Sequence, residues 1–310
     1  MSKQYNIDTP LKIGTRGSPL ALKQAVETRS RLMAAHDLPE SAFAITVIQT
    51  TGDAVQDRPL SEIGGKGLFT KEIQEALLDG RIDIAVHSFK DVATKLPDDL
   101  VINTCLPRED VRDAFISRKY NSIDALPQGA VVGTSSLRRR AQLLTMRPDL
   151  RLVEFRGNVQ TRLKKLDAGL AEATFLACAG LQRLGNFDIA NPIETDVMLP
   201  AVAQGAIAIE QRRDDVEVSK MLAPIHHAET LLRTSVERAF LAELDGSCRT
   251  PIGGLAIVEG DEIIFRGEII RPDGSQVFKG EWRGAIADAV KTGADAGIEL
   301  RAKGGEGFFA

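Results

Sequence analysis

The first two thirds of the chain alternate short apolar, β-branched runs with longer segments of mixed polarity. Residues 11–14, 43–49 and 82–86 read as strands, and residues 69–80 read as a helix that ends at a glycine. Such alternation is typical of α/β lobes in which crossover helices connect parallel strands. The start of the chain therefore predicts an α/β lobe.

A second lobe is predicted by a short internal echo. Residues 131–136 repeat the pattern of residues 13–18, since each stretch reads as a strand, a Gly-Thr turn and a helix start, and Ser18 is expected to be the N-cap of the first helix. Further elements of this lobe are strands at residues 152–155 and 174–177 and, between them, a helix at residues 159–168. A later strand, residues 206–210, is expected to cross back to the first lobe.

The pattern changes after a long amphipathic segment at residues 228–244. Three alternating segments separated by turn residues predict antiparallel strands, and residues 285–301 predict a closing helix. These strands cover residues 252–258, 262–270 and 276–282. We therefore expect an α/β protein with two lobes and a smaller α+β C-terminal domain that carries a three-stranded antiparallel sheet. The predicted division is residues 1–106 with 202–224 for domain 1, 107–201 for domain 2 and 225–310 for domain 3.

Composition narrows the classes of function. The net charge is −4, which gives no general attraction to nucleic acid, and no run approaches the roughly 18 apolar residues that a membrane span needs. The first ten residues do not resemble a leader. Three widely spaced cysteines suggest neither a disulfide framework nor a zinc site, and Cys105 and Cys178 read as core residues. We expect a cytoplasmic protein without a metal, a nucleic-acid partner or a membrane partner.

Arginines and hydroxyls recur where a helix is expected to begin after a strand. Helix N-termini attract anions, and open α/β sheets bind ligands beyond the carboxyl ends of their strands, so these turns are expected to share one cleft for a polyanion. The alternative is that each arginine is an ordinary solvated residue of a helix surface. The stretches are Thr15-Arg16-Gly17-Ser18, Thr134-Ser135-Ser136-Leu137-Arg138-Arg139, Arg156-Gly157-Asn158 with Arg162, and Gly180-Leu181-Gln182-Arg183.

Three further residues are candidates for chemistry. Asp91 follows a buried strand, where a carboxylate beside cations suits proton transfer, although the position equally fits a helix N-cap. Cys248 lies in a turn next to Arg249, which suits an accessible nucleophile. Lys66 lies in a glycine-rich stretch that lacks the spacing of a phosphate-binding loop, so it reads either as a loop over the cleft or as a plain surface turn.

Seven stretches in order give the chain a close resemblance to the porphobilinogen deaminase family, from near its beginning to about Gly284. Any one stretch is modest evidence, but the ordered set is specific. The stretches are Thr15 to Ala21, Gly64 to Phe69, His87 to Asp91, Gly133 to Arg139, Arg156 to Val159 with Thr161 to Leu163, Leu199 to Ala201 with Gln204 to Ala206, and Gly246 through Gly253.

The resemblance implies a fold, a reaction and a set of site residues. It implies two lobes like those of periplasmic solute-binding proteins and a third domain whose Cys248 holds a dipyrromethane cofactor through a thioether. On this primer a monomeric enzyme joins four porphobilinogen molecules head to tail with release of ammonia, and hydrolysis then yields hydroxymethylbilane for haem biosynthesis. Asp91 would assist the loss of ammonia and stabilise the cationic pyrrole species. Residues implied in binding cofactor or substrate are Arg16, Ser18, Lys66, Ser88, Lys90, Thr134, Ser136, Arg138, Arg139, Arg156, Arg162 and Arg183.

Two other classes of function compete with this assignment. A two-lobed architecture alone also suits a solute- or effector-binding protein that performs no catalysis. Nucleic-acid binding through Arg138, Arg139 and Arg140 is disfavoured by the acidic balance and by the lack of interleaved aromatic residues.

Overall fold

The computed structural model describes residues 5–54, 70–246 and 250–309, which form two compact units. Unit 1 contains residues 5–54, 70–109 and 206–231, and unit 2 contains residues 110–205 together with the described residues from 232 onward. The division of unit 2 into a second and a third domain stays a prediction. Within the described residues, no helix has the length and apolar content needed to cross a membrane.

Unit 1 is built on a five-stranded mixed sheet in the order β2-β1-β3-β10-β4. Strands β1, β2 and β3 are parallel, and β10 runs antiparallel to both of its neighbours. The strands are β1 (Leu11–Thr15), β2 (Phe43–Val47), β3 (Ile84–Ser88), β4 (Leu100–Cys105) and β10 (Ile207–Arg212). The helices of this unit are α1 (Pro19–His36), α2 (Thr51–Ala54), α3 (Lys71–Leu78) and α7 (Val216–Leu222). The predicted return of the chain to the first lobe is confirmed by β10.

Unit 2 contains a second five-stranded sheet, in the order β7-β6-β8-β5-β9. Its strands are β5 (Asp113–Ser117), β6 (Val131–Gly133), β7 (Arg151–Val153), β8 (Ala173–Ala177) and β9 (Asn191–Ile193), and its helices are α4 (Leu137–Met146), α5 (Val159–Asp167) and α6 (Cys178–Leu184). Here too three parallel strands lie beside an antiparallel strand, β5, which is the first strand of this unit along the chain. The prediction of two lobes of like construction is therefore confirmed.

The glycine that recurs at the same point of the two lobes, Gly14 and Gly133, is required by packing. A Cβ on Gly14 would stand 2.3 Å from Ile82 Cδ1, and a Cβ on Gly133 would stand 2.3 Å from Phe155 Cγ. Ile82 and Phe155 are both buried. Each lobe thus needs a glycine at this point of its central strand, because a core side chain fills the space that a larger residue would take.

We expect Gly133→Ala to destabilise the protein by about 1–3 kcal/mol, because the new methyl group overlaps the Phe155 ring. Urea unfolding measures the free-energy change. The double variant Gly133→Ala with Phe155→Leu should recover part of the loss, since the smaller side chain vacates the space. Simple addition of the two single losses would contradict this account.

The C-terminal part of unit 2 forms a three-stranded antiparallel sheet, β11-β12-β13. The strands are β11 (Ile252–Glu259), β12 (Glu262–Ile270) and β13 (Val277–Ala285), and they pack with α8 (Ala228–Glu243) and α9 (Ala289–Gly304). The rings of Phe240 and Phe265 lie 4.9 Å apart in their core. This sheet completes the predicted fold class, which is confirmed.

The predicted boundary between the last strand and the closing helix is wrong. The closing helix was expected from residue 285, but α9 begins at Ala289, because Ala285 still pairs with Glu262 as the last residue of β13 and a single 3₁₀ turn follows. Cys105 and Cys178 have no exposed surface, as predicted for core residues, and burial raises the pKa of the Cys178 thiol to about 12.

Candidate active site

The carboxyl ends of two adjacent parallel strands in unit 1 bring a carboxylate and a guanidinium together. Strand β3 ends at Ser88, and one 3₁₀ turn, Phe89–Asp91, presents Asp91 beyond it. Arg16 follows the neighbouring strand β1, and its Nη1 lies 3.9 Å from Asp91 Oδ2. The side chains of Arg16 and Asp91 keep 22% and 32% of their surface exposed, so a ligand can reach both. Asp91 is the last residue of this turn, and the described caps of α1, α3 and α7 are Ser18, Thr70 and Asp215, so the N-cap alternative is not met at these helices.

The other predicted ligands of unit 1 surround the same strand ends. The Ser88 hydroxyl accepts a hydrogen bond from Gln24 Nε2 at 2.9 Å and donates to Gln24 Oε1 at 3.1 Å. Ser18 caps α1 by accepting a hydrogen bond from the Ala21 amide at 3.3 Å, as its pattern predicted. Lys90 lies in the 3₁₀ turn and is partly buried.

A buried group of hydrogen-bonded side chains joins β3, β10 and α3 next to the turn that carries Asp91. His87 Nε2 lies 3.0 Å from Glu210 Oε2, and both side chains are almost fully buried. Gln74 Nε2 donates to Glu210 Oε1 at 2.9 Å. Glu210 on β10 therefore connects β3 with α3 directly beneath the candidate catalytic turn.

We expect Glu210→Ala to lower the free energy of unfolding by about 3 kcal/mol or more, because it leaves the half-buried Gln74 amide and the buried His87 ring without this acceptor. Chemical denaturation measures the loss. Glu217→Ala serves as the control, because it removes a carboxylate from an exposed pair with Lys220 and should cost less than about 1 kcal/mol. Equal losses in the two variants would contradict the importance of the buried group.

In unit 2, the turn after β6 is built by hydroxyl groups. Thr134 Oγ1 accepts a hydrogen bond from the Ser136 amide at 3.2 Å, and Ser136 caps α4 by accepting from the Arg139 amide at 3.4 Å. Asn158 caps α5 in the same way, with its Oδ1 2.9 Å from the Thr161 amide nitrogen. The predicted helix starts after β6 and β7 are therefore present, and each is fixed by a side chain of its own turn.

Arg138 and Arg139 lie around a buried carboxylate that the sequence did not single out. Asp113 at the start of β5 has no exposed surface; its Oδ2 is 2.8 Å from Arg138 Nη2 and its Oδ1 is 2.6 Å from Arg139 Nη2. Burial alone raises the pKa of Asp113, but the two guanidinium charges outweigh it and hold this pKa well below its usual range. The role of both arginines as ligands for the substrate or the cofactor stays a prediction.

The other three predicted site arginines of unit 2 are partly buried, and two of them contact backbone oxygens. Arg162 Nε donates to the Gly157 carbonyl at 2.9 Å, and Arg183 Nη2 donates to the Gly205 carbonyl at 3.2 Å. Arg156 precedes the α5 cap, and its own carbonyl accepts from Lys165 Nζ at 3.0 Å. One expectation is corrected: Arg183 lies in the last turn of α6, which begins at Cys178, and not at a helix start.

Two predicted site residues, Lys66 and Cys248, lie outside the described residues, as does Arg249. Their assigned roles stay predictions. The expectation that the turns of both lobes share one cleft joins residues of two units and also stays a prediction.

The two adjacent histidines make separate local contacts. His226 Nδ1 accepts a hydrogen bond from the Cys105 amide at 3.4 Å, and His227 Nδ1 lies 2.8 Å from Thr230 Oγ1. Burial and the neighbouring His227 lower the pKa of His226. Across the ranges that the structure describes, no group of three histidine, cysteine, aspartate or glutamate side chains is placed to hold a metal ion.

Sequence reasoning missed the residues that support these side chains. Asp113 precedes the apolar run Ala114-Phe115-Ile116, and an acidic residue at the edge of a buried strand was the available signal. Gln24 and Glu210 gave no comparable signal, because neither belongs to a local pattern and each acquires its partner only in the folded chain.

Similarity to solved structures is weak. A lipoprotein of the YaeC family from Enterococcus faecalis is 14% identical, with a TM-score of 0.41, and the match covers 71% of this chain and 93% of that one. A periplasmic substrate-binding protein of an ABC transporter from Coxiella burnetii is 16% identical, with a TM-score of 0.42, covering 71% of this chain and 94% of that one. Similarities at this level carry no conclusion about the site.

Similarity to sequences is far stronger. Residues 11–220 match the family model described as porphobilinogen deaminase, dipyromethane cofactor binding domain, and residues 231–302 match its C-terminal domain. The porphobilinogen deaminase of Paracoccus denitrificans is 60% identical over all of this chain and 99% of its own length. That of Nitrobacter winogradskyi is 57% identical over all of this chain and 98% of its own length. By these matches, which run through both units and include the stretches around Asp91 and Arg138, the chain belongs to the porphobilinogen deaminase family.

Proposed function

We propose that Asp91 is the catalytic carboxylate and Cys248 the cofactor attachment site of a porphobilinogen deaminase, or hydroxymethylbilane synthase, reaction in this chain. Enzymes of this family condense four porphobilinogen molecules head to tail with loss of ammonia and then hydrolyse the product from the enzyme as hydroxymethylbilane. The observation that carries the proposal is the placement of the Asp91 carboxylate 3.9 Å from Arg16 at the ends of two parallel strands, within a motif that this family shares.

A carboxylate has two roles in this reaction, which are to stabilise a positive charge and to accept a proton. When the carbon–nitrogen bond of the substrate breaks, the electron pair leaves with ammonia and the pyrrole is left with a positive charge, which a nearby carboxylate stabilises. When the new carbon–carbon bond forms, the pyrrole whose carbon attacks the cation loses the proton on that carbon, and the same carboxylate accepts this proton. Asp91 is partly exposed, and its turn is anchored by the buried Phe89, so the carboxylate is both accessible and positioned.

The donors in unit 2 suit a ligand that carries several carboxylates. Arg138 is 4% exposed, and its Nε makes no hydrogen bond with any described residue. Such a buried donor fits the acetate and propionate side chains of a dipyrromethane better than a neutral ligand. We propose that Arg138, Arg139, Thr134, Ser136, Arg156, Arg162 and Arg183 hold acidic side chains of cofactor and substrate, and that Arg16, Ser18, Ser88, Lys90 and Lys66 contribute from the other lobe. When bound to Cys248, the dipyrromethane supplies the pyrrole carbon to which the first substrate is joined.

The experiment that tests this proposal is intact-mass measurement of the purified protein, followed by peptide mapping around Cys248 and an assay with porphobilinogen. We expect added mass equal to a dipyrromethane on Cys248, release of ammonia and formation of a linear tetrapyrrole. An unmodified thiol that also fails to load on incubation with porphobilinogen, together with absent turnover, would favour the solute-binding alternative.

We also propose that the enzyme acts in the cytoplasm as a monomer of three domains, on a small molecule and without nucleic-acid or membrane partners. The net charge of −4 supports the absence of general binding to phosphate backbones. Light scattering tests the oligomeric state, and a dimer at micromolar concentration would contradict the monomer. Binding to DNA that weakens steeply with salt would contradict the absence of a nucleic-acid partner.

A further inference from the structure

Three hydrogen bonds at one oxygen and an ion pair at the other bring three side chains to the buried carboxylate of Asp113. Oδ1 accepts from Arg139 Nε at 3.1 Å, from Arg139 Nη2 at 2.6 Å and from Gln204 Nε2 at 3.0 Å. Oδ2 lies 2.8 Å from Arg138 Nη2. Because Asp113 has no exposed surface, it does not itself contact a ligand from solvent. Any effect of Asp113 on ligand binding must pass through the side chains that it holds.

The same two guanidinium groups are anchored on their other sides by fixed acceptors. Arg138 Nη1 donates to Gln142 Oε1 and to the Leu199 carbonyl, both at 2.8 Å, and Arg139 Nη1 donates to the Phe175 carbonyl at 2.8 Å. Together with the Asp113 carboxylate, these contacts hold each guanidinium group in the orientation that the structure shows. Each guanidinium carries five N–H groups, so donors remain on both after these bonds are made.

Gln204 connects this arrangement to the chain segment that precedes β10. Its Nε2 also lies 2.8 Å from the Val111 carbonyl oxygen, so the amide joins the start of β5 to the Gln204-Gly205-Ala206 motif. The preceding Ala203 has a φ of +60°, a conformation that is costly for a residue with a side chain, and its amide donates to Glu237 Oε2 at 2.7 Å. The position of Gln204 is therefore fixed from both sides.

Two like charges packed this closely repel each other unless a carboxylate lies between them. Asp113 supplies that charge, and it does so from the side of the arginines that faces the sheet. The two guanidinium groups can then stay close together, with their remaining N–H groups available to the carboxylates of a ligand.

We propose that Asp113 is a positioning residue of the carboxylate-binding site, which holds Arg138 and Arg139 in the orientation that receives the acidic side chains of porphobilinogen and of the dipyrromethane primer. This inference rests on the proposed function. It assigns to Asp113 a role in substrate affinity, whereas a purely structural aspartate would affect only the stability of the fold.

The first test is Asp113→Asn in the cofactor-loaded enzyme, which removes the charge with little change in shape. We expect the KM for porphobilinogen to rise about tenfold or more while kcat falls less than about threefold, because Asp91 is untouched. We also expect the difference in Tm between the loaded and unloaded protein, with loading verified by intact mass, to shrink by at least half. The control is Asp149→Asn, which removes a carboxylate from an ion pair with Arg147 in the same unit and should leave KM unchanged.

A double-variant cycle tests whether Asp113 acts through the arginines. Arg139→Lys should raise KM in the wild type but have much less effect once Asp113→Asn is present, since the orientation is already lost. Effects on KM that multiply independently would overturn the proposal. If Asp113→Asn does not fold, Gln204→Met removes one donor to the same carboxylate and should raise KM about threefold, and an unchanged KM in that variant would equally overturn it.

The outcomes also separate this inference from the function on which it rests. A wild-type protein that neither loads the cofactor nor consumes porphobilinogen would overturn the proposed function. A wild-type protein that does both, with an Asp113→Asn variant of normal KM and normal stabilisation by the cofactor, would overturn the positioning role of Asp113 alone.

Discussion

Asp91→Asn should retain the covalent cofactor and lose turnover of porphobilinogen by about a thousandfold or more. General acid–base catalysis by a positioned group contributes about 10²–10⁴, and loss of a charge that stabilises a developing cation adds to this. The amide keeps nearly the same shape and can still lie beside Arg16, so the turn Phe89–Asp91 should remain folded. Intact mass reports the cofactor, and ammonia release under saturating substrate reports kcat.

A matched control for this variant is Asp79→Asn in the same lobe. Asp79 is an exposed carboxylate with an arginine partner, Arg81, at 3.4 Å, so it reproduces the change of charge without the strand-end location. We expect its turnover to equal that of the wild type. Turnover of Asp91→Asn within tenfold of the wild type would remove Asp91 from the mechanism.

Cys248→Ser should abolish cofactor attachment and with it all measurable turnover. A serine hydroxyl is a far poorer nucleophile than a thiolate, so the thioether should not form. The purified variant should therefore have the mass of the unmodified chain, before and after incubation with porphobilinogen. Its Tm should also lie below that of the loaded wild type, because a ligand bound only to the folded state stabilises that state.

The other two cysteines supply the controls for this prediction. Cys105 and Cys178 are fully buried, and burial raises the pKa of the Cys178 thiol to about 12, so neither suits attachment of a pyrrole chain. Cys105→Ala and Cys178→Ala should each load the cofactor fully. Added mass on the Cys248→Ser variant, or loss of loading in either control that remains folded, would contradict the assignment.

The arginines show what a local sequence pattern can and cannot predict. In the sequence, Arg138, Arg139 and Arg162 look alike, since each stands near a turn between a strand and a helix. The structure separates them, because Arg138 and Arg139 surround Asp113 and are almost fully buried, whereas Arg162 is partly exposed and contacts the carbonyl of its own turn. The sequence indicates where a residue lies along a helix, but it does not indicate which group a long side chain contacts.

The sequence by itself determined the features that depend on neighbours along the chain. Ser18 caps its helix as predicted, and the glycine echo correctly indicated two lobes of one construction. Ordered motifs likewise identified the family, since they record residue types and need no coordinates. The start of the short helix α6 was misplaced and α7 went unrecognised, because seven residues carry too little periodicity to separate a helix from a loop.

Only the tertiary structure decided which distant groups meet. Asp113 lies 26 residues from Arg139 and 91 from Gln204, and His87 lies 123 residues from Glu210. Such pairs form because a buried polar group must find a partner once the apolar core has fixed the backbone, and which partner is within reach depends on the packing of strands that are remote in sequence. Local preferences thus determined the helices, turns and lobes of this protein, while the packing of sequence-remote strands within each unit determined which side chains surround Asp113 and which lie beneath Asp91.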